Sequence, residues 1–247
     1  MMMKKGTRWL LASWLVSGTA LAGAGVHWGY EGHEGADHWA ELSPDYRLCA
    51  TGKNQSPIDI HDAIKAELTP LVFSYQAGTG EELNNGHTIQ VNFPPGSTLS
   101  VGGHVYTLKQ LHFHAPSENR IEGRSFPLEA HMVHADDKGN LAVVAVMFEE
   151  GAENPVLAAA WARMPENADT STRLDNPVTA EGLLPATRDY YRFSGSLTTP
   201  PCSEGVSWLV MKHPMTASQA QIQKFSKAMG HANNRPVQPL NDRPILR

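Results

Sequence analysis

Three histidines in two short segments could do chemistry together. In Gln110-Leu111-His112-Phe113-His114 the side chains of an extended chain alternate between faces, so Gln110, His112 and His114 share one face and Leu111 and Phe113 take the other. Two imidazoles then point at one spot. Glu129, His131 and Val133 repeat the alternation, and a hairpin between the two segments would bring His131 beside the pair as a third nitrogen donor. Three neutral imidazoles in tetrahedral geometry suit zinc, and a fourth position left for water separates a catalytic zinc from a closed structural one. The expectation is one Zn2+ per chain. Gln110 and Glu129 each stand two residues before a histidine on the same face, where they can accept its second ring N–H and fix the tautomer.

Other readings of these histidines fare less well. His112, His114 and Glu118 have the spacing of a cupin metal box, but the proline-glycine turn and further histidine of a second box do not follow downstream. His134 faces away from His131 along its strand and reads as a hydrogen-bonded core residue rather than a fourth ligand.

Holding such a site calls for a sheet. Residues 72–75, 87–92 and 104–114 are strand-like, separated by turn signals at Asn84-Asn85-Gly86, Pro94-Pro95-Gly96 and Gly102-Gly103. Residues 141–148 form an unbroken apolar run that reads as a central strand buried on both faces. Helices are few. Asn154 as N-cap and Pro155 in first position open one that runs to Met164, and a second begins near Thr216 and ends at Gly230. Residues 166–176 are polar and read as a loop, and residues 25–44 as an irregular arm. His27, His33 and His38 in that arm match no strand or helix face and read as surface or packing histidines. The 17 prolines and 21 glycines suit many short strands joined by turns.

Residues 1–22 have the layout of a secretory signal: Lys4, Lys5 and Arg8, an apolar stretch, then Ala20-Leu21-Ala22 as a small-x-small cleavage site. A membrane anchor would need about twenty apolar residues, and Ser13, Ser17, Gly18 and Thr19 interrupt the run. Residues 23–247 then form one domain, exported to the periplasm or the medium, with no membrane association after signal removal. In an exported chain the two cysteines, Cys49 and Cys202, suggest a disulfide, with two buried thiols as the alternative. A net charge of −5 gives no reason to expect nucleic acid or an anionic membrane as partner.

Residues 111–118 and 129–134 resemble the zinc-ligand segments of the α-class carbonic anhydrases, particularly bacterial members. Further blocks resemble the same family in the same order: Trp28-Gly29-Tyr30, Asn54-Gln55-Ser56-Pro57-Ile58-Asp59-Ile60, Asn84-Asn85-Gly86-His87, Gly195-Ser196-Leu197-Thr198-Thr199-Pro200-Pro201, and Asn234-Arg235-Pro236-Val237-Gln238-Pro239-Leu240. The resemblance implies a mainly β single domain (α/β by some schemes) with a large central, mostly antiparallel twisted sheet and a few short surface helices. It implies reversible hydration of carbon dioxide to bicarbonate and a proton, by a hydroxide on zinc held by His112, His114 and His131.

Residue by residue, the resemblance makes Thr198 the acceptor of the hydroxide's hydrogen bond and donor to Glu118, and His87 the proton shuttle. Val133, Val143, Leu197 and Trp208 become the apolar floor for carbon dioxide, and Thr199 a contact for bicarbonate. Tyr30, Asn85 and Gln90 fall on the polar side that orders water. A Cys49–Cys202 bridge would pin the loop of Thr198 and Thr199. Gln90 stands where many relatives have asparagine and Phe193 where many have tyrosine, so altered tuning is expected there. A zinc-binding protein without turnover and a hydrolase of small esters are the competing readings; a homodimer is compatible with the sequence.

Overall fold

The longest apolar run lies at the centre of the molecule, where a strand with neighbours on both sides must bury both faces. A computed structural model describes residues 26–77 and 80–247, so the expected signal segment, 1–22, lies outside the described residues. Within them run β1 (Asp59–Ile60), β2 (Val72–Ser74), β3 (Glu81–Asn84), β4 (Ile89–Asn92), β5 (Thr98–Val101), β6 (His104–His114) and β7 (Arg120–Ile121). They are followed by β8 (Leu128–Ala135), β9 (Leu141–Glu150), β10 (Thr170–Arg173), β11 (Tyr190–Ser196), β12 (Glu204–Met211) and β13 (Met215–Ala217).

One sheet holds most of them, in the order β10-β3-β4-β6-β8-β9-β12-β11, with β5 pairing the first half of β6 and β13 pairing β9. Its pairings are antiparallel except where β12 and β13 run parallel to β9. The molecule is therefore mainly β, as its sequence predicts. Two apolar layers cover the sheet. Leu111, Phe113, Trp161 and Phe225 belong to the layer on one face. Val143, Met147, Trp208 and Val210 belong to the other.

A register shift between Leu108 and Gln110 leaves Lys109 as an extra residue in β6. Such a bulge resets the alternation. Leu108 joins the core with Leu111 and Phe113, while Gln110, His112 and His114 keep the other face.

Two local expectations need correction. Residues 170–173, inside the stretch read as a loop, form β10 beside β3; an edge strand with mostly exposed side chains carries no apolar signal. The second helix begins at Gln219 rather than near Thr216, because residues 215–217 extend the sheet as β13. Ser218 caps that helix with Gln221 in a reciprocal capping box, and Gly230 ends it in the left-handed conformation at φ 73°. The first helix is α-helical over Pro155–Ala160 and tightens to a 3-10 turn over Trp161–Arg163.

Cys49 and Cys202 are joined across 153 positions. In the chain-entropy view a loop that long contributes on the order of 4–5 kcal/mol. No helix among the described residues is long and apolar enough to cross a membrane.

Candidate active site

Antiparallel pairing of β6 with β8 sets His112 opposite His131, His114 opposite Glu129, and Gln110 opposite Val133. One donor atom from each of His112, His114 and His131 lies within 4.8 Å of the others. Each ring has one nitrogen already engaged. Nδ1 of His112 is 2.8 Å from Gln110 Oε1, Nδ1 of His114 is 2.7 Å from the Asn233 carbonyl, and Nε2 of His131 is 2.9 Å from Glu129 Oε1. Because these oxygens accept, the engaged nitrogens carry the hydrogens. The lone pairs left over are Nε2 of His112, Nε2 of His114 and Nδ1 of His131.

Burial holds all three imidazoles below their ordinary pKa, His112 and His131 most strongly, so they stay neutral. Glu129 is fully buried and accepts from the Glu118 N–H, the Asn119 N–H and the Asn119 carboxamide as well as from His131. Glu118 sits over the same spot. Its Oε1 accepts the Arg235 N–H at 2.9 Å, while its Oε2 lies 3.5 Å from His114 Nε2 and 3.9 Å from His131 Nδ1. Burial pushes the Glu118 carboxyl up to about 8, opposed by the Arg235 N–H that donates to it and by the Thr198 hydroxyl nearby, which stands outside hydrogen-bond geometry.

Two atoms here are buried without a hydrogen-bond partner among the described residues, His114 Nε2 and Glu118 Oε2. An unmet buried polar atom costs roughly 1–3 kcal/mol. A cation taken by the three lone pairs would satisfy the nitrogen, and a hydroxyl or water beneath Glu118 would satisfy the oxygen. The donor set therefore fits a metal ion.

An apolar wall adjoins the histidines. Val133, Val143, Trp208 and Phe193 are successive cross-strand neighbours over β8, β9, β12 and β11, and Leu197 packs on the same layer. The Trp208 ring meets His131 edge-on at 4.9 Å and stacks on Phe193 at 6.0 Å. Phe193 thus presents a face to tryptophan where a tyrosine would add a hydroxyl. Trp208 Nε1 donates to the Ser196 carbonyl, and Ser56 and Ser196 exchange hydrogen bonds. That close seam needs Gly195, since a Cβ there would fall 2.1 Å from Ser56 Oγ. Thr198 follows and is buried, and Thr199 is half-buried with its carbonyl accepting the Cys202 N–H.

The polar rim gathers other predicted residues. Tyr30, Asn85 and His87 line a cavity of about 380 Å³ with His27, Trp28 and His231. His87 stacks flat on Trp28 at 3.7 Å, and its pKa is lowered by burial first and then by His27 and His231. Asn85 Oδ1 accepts from the N–H groups of His87 and Thr88, so it shapes the loop that presents His87. Gln90 lies opposite His112 and donates to Asn92. His27 is exposed, 3.4 Å from Glu34, and its ring is 6.4 Å from that of His87. His134 is buried between Tyr75 and the Ala142 carbonyl, and burial lowers it to about 4.

Three residues that hold this arrangement receive no role from the sequence: Asn119 on Glu129, Asn233 on His114, and Arg235 on Glu118, the last although it lies in the resembling block 234–240. The Arg235 guanidinium is fully buried and donates to Gln55 Oε1 and to the Ser56 and Cys49 carbonyls. Their partners lie 10 to 186 positions away, so local patterning carries no signal for them.

Residues 34–247 match the family model for eukaryotic-type carbonic anhydrases. A carbonic anhydrase of Pectobacterium carotovorum is 56% identical over 228 residues, covering 92% of this chain and 93% of that protein. One of Neisseria gonorrhoeae is 50% identical over 238 residues, covering 96% and 94%. The structure of the α-carbonic anhydrase of Thermovibrio ammonificans, complexed with the inhibitor sulfanilamide, superposes with a TM-score of 0.89 at 51% identity, covering 90% of this chain and all of that one. The fold, the three-histidine cluster and these likenesses agree: this chain belongs to the eukaryotic-type, or α, carbonic anhydrase family, enzymes whose general reaction is the hydration of carbon dioxide.

Proposed function

We propose that this enzyme interconverts carbon dioxide and bicarbonate with one zinc ion on His112, His114 and His131, and with His87 carrying the proton to buffer. The observation that supports it most is the convergence of three leftover imidazole lone pairs beneath a carboxylate with one free oxygen. Three neutral nitrogens with room for a fourth ligand are the donor set of a catalytic zinc. When bound, zinc lowers the pKa of water to about 7, a value taken from carbonic anhydrase itself and not from this chain.

The protein's own residues do the rest. The Thr198 hydroxyl accepts a hydrogen bond from the attacking oxygen and donates its own to Glu118 Oε2, which must be ionised to accept. This fixes the direction of the nucleophile's lone pair. A cation on the three histidines would favour the ionised form against burial, since Glu118 Oε2 lies 3.5 and 3.9 Å from the inward nitrogens of His114 and His131. Val133, Val143, Leu197 and Trp208 hold carbon dioxide against a dry wall, fitting a nonpolar substrate with little to hydrogen bond. Thr199 contacts bicarbonate. Tyr30, Asn85 and Gln90 order water between the site and His87, whose imidazole, held below its ordinary pKa by burial, His27 and His231, is neutral near pH 7 and free to accept a proton and pass it on. Gln110 and Glu129 keep two of the imidazoles in the tautomers that leave the inward nitrogens free.

For residues 1–22 we propose removal as a secretory signal, leaving 23–247 as the catalytic domain in the periplasm or the medium. The Cys49–Cys202 bond and the bacterial relatives are consistent with export. A homodimer is compatible with this reading.

Stopped-flow hydration of carbon dioxide, before and after chelation, tests the proposal. Fast hydration should vanish with the metal and return with added zinc. A protein that holds one zinc per chain and does not hydrate carbon dioxide would overturn it in favour of a binding role.

A further inference from the structure

Asn233 ties the end of β6 to the His87 loop, a second tie beside the Thr88 hydroxyl, which donates to the Phe113 carbonyl and accepts the Phe113 N–H. Asn233 is fully buried and lies in the segment after the Gln219–Met229 helix. Its carbonyl accepts the His114 Nδ1–H at 2.7 Å, and its N–H and Oδ1 form a reciprocal pair with the carbonyl and N–H of Ala115 at 3.4 and 2.9 Å. The two hydrogens of its carboxamide go to different elements. One is donated to the Phe113 carbonyl on β6 at 2.9 Å, the other to the His87 carbonyl at 3.0 Å. On its other side the His87 N–H is donated to Asn85 Oδ1, in a loop that turns at Gly86 with φ 79°.

We propose that the Asn233 side chain is a positioning residue for proton transfer, setting the spacing between the His87 loop and the histidine strand β6. The inference rests on the reading of His87 as proton carrier. Proton transfer along ordered water depends steeply on the separation of its end points, and misplacement by about 1 Å can cost up to a hundredfold. The two functions of Asn233 are separable. Its bond to His114 is made by the main chain, whereas its hold on His87 comes from Nδ2 alone.

Oxygen-18 exchange between carbon dioxide and water on the zinc-loaded enzyme reads both steps in one sample, the interconversion of carbon dioxide with bicarbonate and the proton-dependent release of labelled water. Both rates scale with the amount of folded enzyme, so their ratio is insensitive to partial misfolding. In Asn233→Ala, and in Asn233→Asp, which keeps the size and the acceptor for Ala115, the ratio of release to interconversion should fall about threefold or more. Added imidazole should restore it. A ratio unchanged from the parent, or both rates falling in proportion, would overturn the inference. His87→Ala separates the two claims: if it leaves the ratio intact the shuttle reading itself fails, and if it lowers the ratio while the Asn233 variants do not, only the role of Asn233 fails.

Discussion

Two buried glutamates lie on opposite faces of the sheet, and burial pushes each up to about 8. Glu118 stands on the face of His112 and His131. Glu82 is opposite Val91, and Val91 is opposite Leu111, so Glu82 points into the apolar layer on the far face. Each has one oxygen without a partner among the described residues. Their surroundings differ. Around Glu118 converge the Arg235 N–H, the Thr198 hydroxyl and two imidazoles whose remaining nitrogens are saturated. Glu82 has Lys224 as its one charged influence, and that ammonium already donates to the Trp161 carbonyl. An unmet polar atom therefore marks a site only where neighbouring groups are tied down so as to leave their free atoms facing it. By itself it marks only a cost.

Replacement of a histidine should break the comparison most completely. In His131→Ala the trio loses one donor, and zinc content measured on the purified protein should fall to background together with hydration. Retention of one zinc per chain would show that the metal is held elsewhere. Glu118→Gln should act more narrowly. The amide keeps the volume but cannot supply an acceptor both to the Arg235 N–H and toward Thr198 without placing its NH2 on one of them. Zinc should remain and kcat/KM for hydration should drop about a hundredfold, the scale seen when one preorganised hydrogen bond at a reacting oxygen is removed. Unchanged turnover would remove Glu118 from the mechanism and leave it equivalent to Glu82.

The histidine face was legible because it is a local matter. Gln110 to His114 and Glu129 to Val133 obey a period of two, and one register pairs them. The same rule extended back to His104 fails at Lys109, where the bulge turns Leu108 to the opposite face; nothing in the residue types announces it. β10 was missed because an edge strand that buries little has no apolar pattern. The start of the last helix was readable in principle, since Ser218 and Gln221 have the spacing of a capping box. The disulfide is readable from a cysteine pair in a chain whose first residues have the layout of a secretory signal. Asn233 and Arg235 are not, because an asparagine or arginine in a loop is ordinarily solvated, and only the closed fold shows their side-chain polar groups drawn inward and, Arg235 Nε apart, hydrogen-bonded.

Glu82→Gln gives the smallest effect and the sharpest contrast. A carboxyl whose folded-state value is about 8, against an ordinary 4.5, is neutral in the fold where the unfolded chain would ionise it. The stability this neutral form confers is complete below about pH 4.5 and is lost progressively as pH rises to about 8, where the buried group must ionise or the chain unfold. Glutamine cannot ionise. The variant should therefore match its parent in thermal melts near pH 5 and exceed it by several degrees at pH 9, with hydration unchanged because the far face touches none of the three histidines. Equal melting temperatures at pH 9 would mean that Lys224 compensates the charge after all. A gain of the same size at both pH values would locate the effect in packing rather than in ionisation.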